Sequence, residues 1–298
     1  MPANFLAGFG LALLSAIVWA FAPVLYRRGI NQFSYTALGA VRTLGSTLTA
    51  GAFLFFTLGK SAFSVPPLPL LAAVFGGSVI WLVAGDLFYF ASLHRLGVAL
   101  GVPISSAYPL LAVPAAWIFL DEPASPVVFG SAVLIVAGLV LLSPRPERED
   151  RPTLSKRDFR IGLAYAFLCM SCWTFGIISN RLFMDRLPVP QLEWWRSLSV
   201  LCGSWAVFWI HDHKVFPKAS SRGVLFEAML AGALGLTVGN LLFTYSQKFI
   251  TVDVATCAAS ARPFFSAAFA ALFLKEKLTP RLISGIALVA AGVTLMSL

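Results

Sequence analysis

Residues 119–126 read FLDEPASP and residues 273–280 read FLKEKLTP, 154 positions apart. Sliding the whole chain against itself by that interval, without a gap, gives roughly 30 identities over about 136 positions. Several of them are residues that an apolar composition does not supply by chance. Trp19 falls on Trp173, Arg27 on Arg181, Arg42 on Arg196, Gly85 on Gly239, Ser92 on Ser246, Pro109 on Pro263, Glu122 on Glu276, Pro126 on Pro280 and Gly138 on Gly292. The chain is a duplication, so one half constrains the fold of the other.

Each copy is too apolar to cover a soluble core. The chain is 58% hydrophobic and 12% charged, against about 45–50% and 25% in soluble domains. About 20 consecutive apolar residues make a membrane-crossing helix, and the polar breaks separate ten such stretches. They lie near 5–26, 34–58, 68–92, 98–120, 126–143, 161–180, 190–210, 224–246, 253–274 and 282–298. The fifth and tenth are short. These stretches predict an all-α integral membrane protein of ten transmembrane helices, with a first five-helix repeat at 1–143, a linker at 144–160 and a second repeat at 161–298. Five is odd, so the second copy enters the membrane from the opposite side. Inverted repeats of this kind are the usual architecture of secondary transporters, because exchanging the conformations of two like halves exchanges the accessible side.

Charge sets the expected orientation. The net charge of +9 follows from the positive-inside rule and does not call for a nucleic-acid partner. Counted by alternate loops, roughly 15 Lys and Arg gather on one side and roughly 4 on the other. The rich side holds Arg27, Arg28, Arg95, the 144–160 connector, Lys214, Lys218, Arg222, Lys275, Lys277 and Arg281, which makes it cytoplasmic and both termini external. No Lys or Arg precedes the first stretch and Arg27 and Arg28 follow it, the charge order of an uncleaved first helix. The stretch SPRPEREDRPTLSKRD at 143–158 reads as a flexible, solvated connector. Cys169-x-x-Cys172 lies mid-helix without a second ligand pair, so the four cysteines read as small buried hydrophobes and neither metal nor cofactor is expected.

The run GVALGVPISSAYPLLAVPAAWIFLDEPASPVVFGSAVLIVAGLVLLS and its echo TVDVATCAASARPFFSAAFAALFLKEKLTPRLISGIALVAAGVTLMS resemble the EamA-type repeat of the drug/metabolite transporter superfamily. The likeness rests on a Pro in the fourth helix of each half, an acidic residue at that helix's end and a Gly-spaced fifth helix. It covers nearly the whole chain. It implies a ten-helix carrier of a bacterial-type inner (plasma) membrane, in a family with many exporters of amino acids and other small metabolites.

Ionisable residues inside the spans are expensive and default to a functional hypothesis. Helical rise puts Arg42 about 12 Å in from the cytoplasmic face, with Asp86 at a comparable depth, so these two are a candidate ion pair. In the second half Asn240 stands in place of Asp86, and Glu193 is the i,i+3 partner available to Arg196. Arg262 occupies the place of Tyr108 and precedes Pro263, which frees a carbonyl and kinks the helix, as Pro109 does in the first half. A guanidinium on a kinked mid-membrane helix suits a carboxylate, phosphate or sulfonate. The alternatives are that Arg262 pairs with Asp86 or Glu193, or snorkels along a wet cleft. Trp19, Trp173, Tyr89, Tyr108, Phe243 and Tyr245 are candidates to line a substrate site, with packing as the plainer role. Asp86 is also a candidate for proton coupling, against which a neighbouring Arg would act. Glu122 and Glu276 read as structural: each precedes a hydroxyl and a Pro, Ser125-Pro126 or Thr279-Pro280, the pattern of a capped helix start.

The expected function is secondary transport of small organic solutes, exporting amino acids or related carboxylate-bearing metabolites by alternating access. The chain has no GxxxxGK[ST] phosphate loop, so a gradient is the expected source of energy. A lipid or polyprenyl-phosphate translocator is the alternative within transport. An intramembrane enzyme is not expected, since His94, His211 and His213 lie outside the spans and Asp86 is the one deep Asp. Small residues such as Gly8, Gly10, Gly76, Gly77, Gly232, Gly235 and Gly239 allow close helix packing, within a monomer or at a homodimer face.

Overall fold

The computed structural model describes residues 3–25, 32–59, 63–142, 155–212, 222–266, 269 and 279–296. Arg27, Arg28, Lys214, Lys218, Lys275, Glu276, Lys277 and most of the 144–160 connector lie outside the described residues. The described residues are all-helical, with no strand among them. Along the chain run α1 (Ala3–Leu25), α2 (Tyr35–Leu58), α3 (Leu68–Ser78), a π-helical turn (Val79–Ala84) and α4 (Gly85–Leu96). There follow α5 (Val98–Ser105), α6 (Pro109–Phe119), α7 (Pro126–Leu142), α8 (Lys156–Met184) and α9 (Val189–His211). The rest are α10 (Arg222–Gly232), a second π-helical turn (Ala233–Val238), α11 (Gly239–Ser246), α12 (Val252–Ala259) and α13 (Pro280–Leu295).

Among the described residues, six helical stretches are long and apolar enough to cross a bilayer: Asn4–Leu25, Tyr35–Leu58, Leu68–Leu96, Leu100–Phe119, Lys156–Met184 and Arg222–Ser246. The helices α7 and α13 are shorter apolar ones. The stretch expected at 253–274 is only partly described. Caps start several helices where the sequence places them. Ser34 accepts from Ala37 N–H at 3.1 Å at the head of α2, Ser125 from Val128 N–H at 3.3 Å at α7, and Thr279 from Leu282 N–H at 3.3 Å at α13.

Compactness divides the chain differently from the duplication. One unit comprises residues 1–79 and 180–249, the other residues 80–179 and 250–298. In the first unit α2 and α9 pack as a pair, α10 lies on α2, and α1 lies on α11. A Cβ added at Gly45 would sit 1.9 Å from the Met229 carbonyl oxygen, and one at Gly232 would sit 1.8 Å from that of Arg42. The α2 and α10 backbones therefore touch, an approach that only glycine permits. In the second unit α7 and α13 pack by a reciprocal scheme. Gly138 sits against the Gly285 carbonyl and Val289, while Gly292 sits against the Ser131 carbonyl and Ile135. Gly138 and Gly292, Ser131 and Gly285, and Ile135 and Val289 are each 154 apart, so this contact lies on a local two-fold.

The π-helical turns recur in the same register, Val79–Ala84 and Ala233–Val238. A π-turn carries one residue more than an α-turn and leaves carbonyls to be satisfied from outside the ladder. In the first unit Trp19 Nε1 donates to Gly235 O at 2.9 Å and Asn240 Nδ2 to Leu236 O at 2.9 Å, so two residues marked for function hold the second π-turn.

Gly45→Ala and Gly232→Ala should each lower the thermal midpoint of the purified protein, followed by tryptophan fluorescence, because overpacking costs about 1–3 kcal/mol. Gly76→Ala, whose methyl meets nothing within 4 Å, should leave it unchanged or raise it by up to about 1 kcal/mol of helix propensity. Equal midpoints in all three would refute the backbone contact of α2 and α10.

Candidate functional site

Four helical segments of the second unit bring the candidate residues together. Both stretches that contain the repeated Pro are interrupted. A turn at Ser106, Ala107 and Tyr108 separates α5 from α6, and a turn at Ser260 and Ala261 ends α12 before the helical residues 262–266. The reason is local: Pro109 and Pro263 lack the N–H that would bond the carbonyls of Ser105 and Ala259 four residues back. Both turns carry the same residues, Ser-Ala-x-Pro, one repeat apart. They also meet, since the Tyr108 hydroxyl lies 3.2 Å from Ser260 Oγ. Ser260 Oγ in turn donates to Thr256 O at 2.7 Å, which leaves the Tyr108 hydroxyl as the donor between the two turns.

Trp173, on α8, stands against this crossing. Its ring lies 5.8 Å from that of Tyr108, edge to face at 88°, and 5.6 Å from that of Tyr89 on α4 at 39°. It reaches both because α4 has a glycine where the indole lies: a Cβ on Gly85 would be 2.7 Å from Trp173. All three rings are half-buried, and the Arg262 side chain is exposed. Arg262 is close enough to Tyr108 to act on its hydroxyl electrostatically. Asp86 lies on α4 one turn before Tyr89 and near Cys169 of α8. The arrangement offers a hydroxyl pair and a guanidinium beside an aromatic wall, groups suited to an anion joined to an apolar or planar body.

The remaining candidates lie in the first unit. Trp19 packs on Phe243 at 5.5 Å, against Gly239, repeating the pairing of Trp173 with Tyr89 and Gly85. Phe243 is 2% exposed and so serves packing. Tyr245 is half-buried, with the Lys248 ammonium 5.4 Å from its ring centre. Arg196 pairs with Glu193, the i,i+3 partner expected for it, and also donates to Asn180 Oδ1. Arg42 belongs to the first unit and Asp86 to the second.

Two carboxylates have partners that the sequence did not show. Glu122 reaches a helix distant in sequence. Its Oε1 accepts from Val252 N–H at 2.6 Å and its Oε2 from Asp253 N–H at 3.2 Å, so it caps α12 of the other repeat, whose own Thr251 makes no side-chain cap. Asp253, in the first turn of α12, is 2% exposed, accepting from Trp117 Nε1 at 3.0 Å and Val254 N–H at 2.7 Å. Asp253 and Ser260 escaped the sequence reading, although the repeated Ser-Ala-x-Pro was a signal for Ser260. Asn180 and Thr244 escaped it because single polar residues in apolar spans look like tolerated exceptions, and Gln247 because it follows the end of its span. Among the described residues no group of His, Cys, Asp and Glu is placed to hold a metal.

Apolar helices and duplicated, proline-broken segments define a polytopic membrane protein of the transporter type. The sequence profile of the EamA-like transporter family matches residues 6–143 and again 160–298, and the chain belongs to that family. It is 28% identical over 288 residues, 97% of each chain, to a protein of Archaeoglobus fulgidus named an uncharacterized transporter. It is 24% identical, over 93% of this chain and 92% of the other, to the probable glucose uptake protein GlcU of Priestia megaterium. A solved crystal structure superposes with a TM-score of 0.80 at 19% identity, over 99% of this chain and 98% of that one, a likeness of fold.

Glu122→Ala should destabilise the protein by about 1–2 kcal/mol, the worth of a charge-assisted cap, read as a fall in thermal midpoint. An unchanged midpoint would mean that α12 does not depend on that carboxylate.

Proposed function

We propose that the protein is a secondary transporter of small organic solutes that exports amino acids or related carboxylate-bearing metabolites by alternating access. In this reading ten spans form two inverted five-helix repeats, 1–143 and 161–298, in a bacterial-type inner membrane with both termini outside. The observation that carries it is Arg262: an exposed guanidinium at a proline-broken helix, beside the Tyr108 and Ser260 hydroxyls and the Trp173 ring. Discontinuous helices at mid-membrane are where carriers of this architecture hold their solutes. A guanidinium in that setting favours a carboxylate over a neutral sugar, the solute in the name of the Priestia relative, because removing a cation from water is repaid by an anion. Trp173 and Tyr89 would hold the uncharged body of the solute.

Counterflow in proteoliposomes tests the reading. Vesicles are loaded with pooled amino acids, small organic acids and glucose, and exchange is followed by mass spectrometry. Carboxylate-bearing solutes should exchange, and Arg262→Ala should raise their half-saturating concentration about 10–100-fold, the cost of one charge-assisted contact. Arg262→Lys should fall between, retaining charge without the planar fork. Exchange of glucose alone, or exchange indifferent to Arg262, would overturn the anion assignment. Transport confined to a phosphorylated lipid would favour the translocator alternative.

A further inference from the structure

The two compact units share out equivalent pieces of the duplication unequally. Shifted by 154, residues 80–95 fall on 234–249 and residues 1–25 fall on 155–179. Yet 1–25 and 234–249 belong to the first unit, while 80–95 and 155–179 belong to the second. The cut at Val79 and Ile80 falls inside the first π-helical turn. Thus α11 is grouped with α9, whereas its counterpart α4 is not grouped with α2, the counterpart of α9.

Besides its packing on α1, α11 is held in the first unit by a buried polar cluster that reaches α9 through Asn180, near the end of α8. Asn180 Nδ2 lies 3.2 Å from Thr244 Oγ1 and 3.2 Å from Gln247 Oε1. Asn180 Oδ1 accepts from Arg196, which pairs with Glu193. The five side chains are between 0% and 3% exposed. The cluster is not saturated, because Glu193 Oε1 and Gln247 Nε2 lack hydrogen-bond partners among the described residues. A partly satisfied buried network is poorer than apolar packing as mere structure. The first repeat cannot reproduce it: the matching positions are Tyr26, Gly39, Arg42, Phe90 and Leu93, which share only the arginine.

We propose that this cluster is a one-sided latch on the transport cycle. The inference rests on the carrier reading above, in which alternation exchanges the roles of the two repeats. On that exchange α4 takes up the place on α2 that α11 now has on α9, and α11 is released. The observed conformer closes five polar side chains; in the exchanged one Phe90 and Leu93 stand in the places of Thr244 and Gln247, and neither side chain can hydrogen-bond. The two conformers are therefore unequal in free energy, and the empty carrier rests with α11 latched to α9.

The test uses spin labels at Arg186→Cys, before α9, and Lys248→Cys, just after α11. Both positions are exposed, and the four native cysteines are replaced. Distances are read by electron double resonance on the full chain in nanodiscs. Gln247→Leu, which installs the residue found at position 93, should raise the ratio of the longer-distance to the shorter-distance population about tenfold, the effect of losing one to two buried hydrogen bonds. Thr244→Val, nearly isosteric, should move it in the same direction by less and serves if Gln247→Leu does not fold. Distance distributions that coincide with the parent in a folded variant would overturn the latch. Counterflow on the same unlabelled variants is read separately: loss of exchange in the parent protein speaks against the carrier reading, not the latch.

Discussion

Helix backbones in direct contact are the constraint on which this structure depends. Lipid tails are as apolar as the side chains they would release, so helices in a bilayer gain nothing from hiding leucine and must associate through close packing and polar contacts. This chain supplies the closeness with glycine at particular points: Gly45 and Gly232 seat α2 on α10, and Gly138, Gly285 and Gly292 seat α7 on α13. Three other glycines admit something larger. Gly85 and Gly239 make room for the indoles of Trp173 and Trp19, and Gly176 for that of Trp81. The aromatic wall of the candidate site is thus built on missing side chains.

Polar groups complete what the glycines begin, at breaks in the helices. Each π-turn and each proline leaves carbonyls outside the regular ladder. Trp19 and Asn240 attend the second π-turn, and the Tyr108 and Ser260 hydroxyls join the two proline turns. Tyr108 carries both a packing duty, through Trp173, and a tethering one, through Ser260. Arg262 stands next to that tether, so its charge sits where the backbone is already irregular.

Much of this was legible before any coordinates. The interval of 154 placed the halves, the repeated Ser-Pro and Thr-Pro placed the starts of α7 and α13, and Pro109 and Pro263 marked the interrupted helices. What stayed hidden depends on pairing between distant segments. Glu122 precedes Ser125-Pro126 in sequence, so it reads as belonging to the next helix, yet its carboxylate lies across α12 because the fold brings residue 252 to it. The split into two compact units is hidden for the same reason, since it passes through α8 and a π-turn and not through the charged connector. Buried Asn180, Thr244 and Gln247 are each unremarkable alone, and only their convergence gives them meaning.

The π-turns have a bearing on history as well as mechanics. Each holds one residue beyond the α-helical count, and a helix that gains a residue turns everything after it by about 100°. Insertions that re-aim an entire half-helix are not easily acquired twice at the same place. Both copies have theirs in one register, Val79–Ala84 and Ala233–Val238. The shared register is what a π-turn already present before the duplication would leave in both copies.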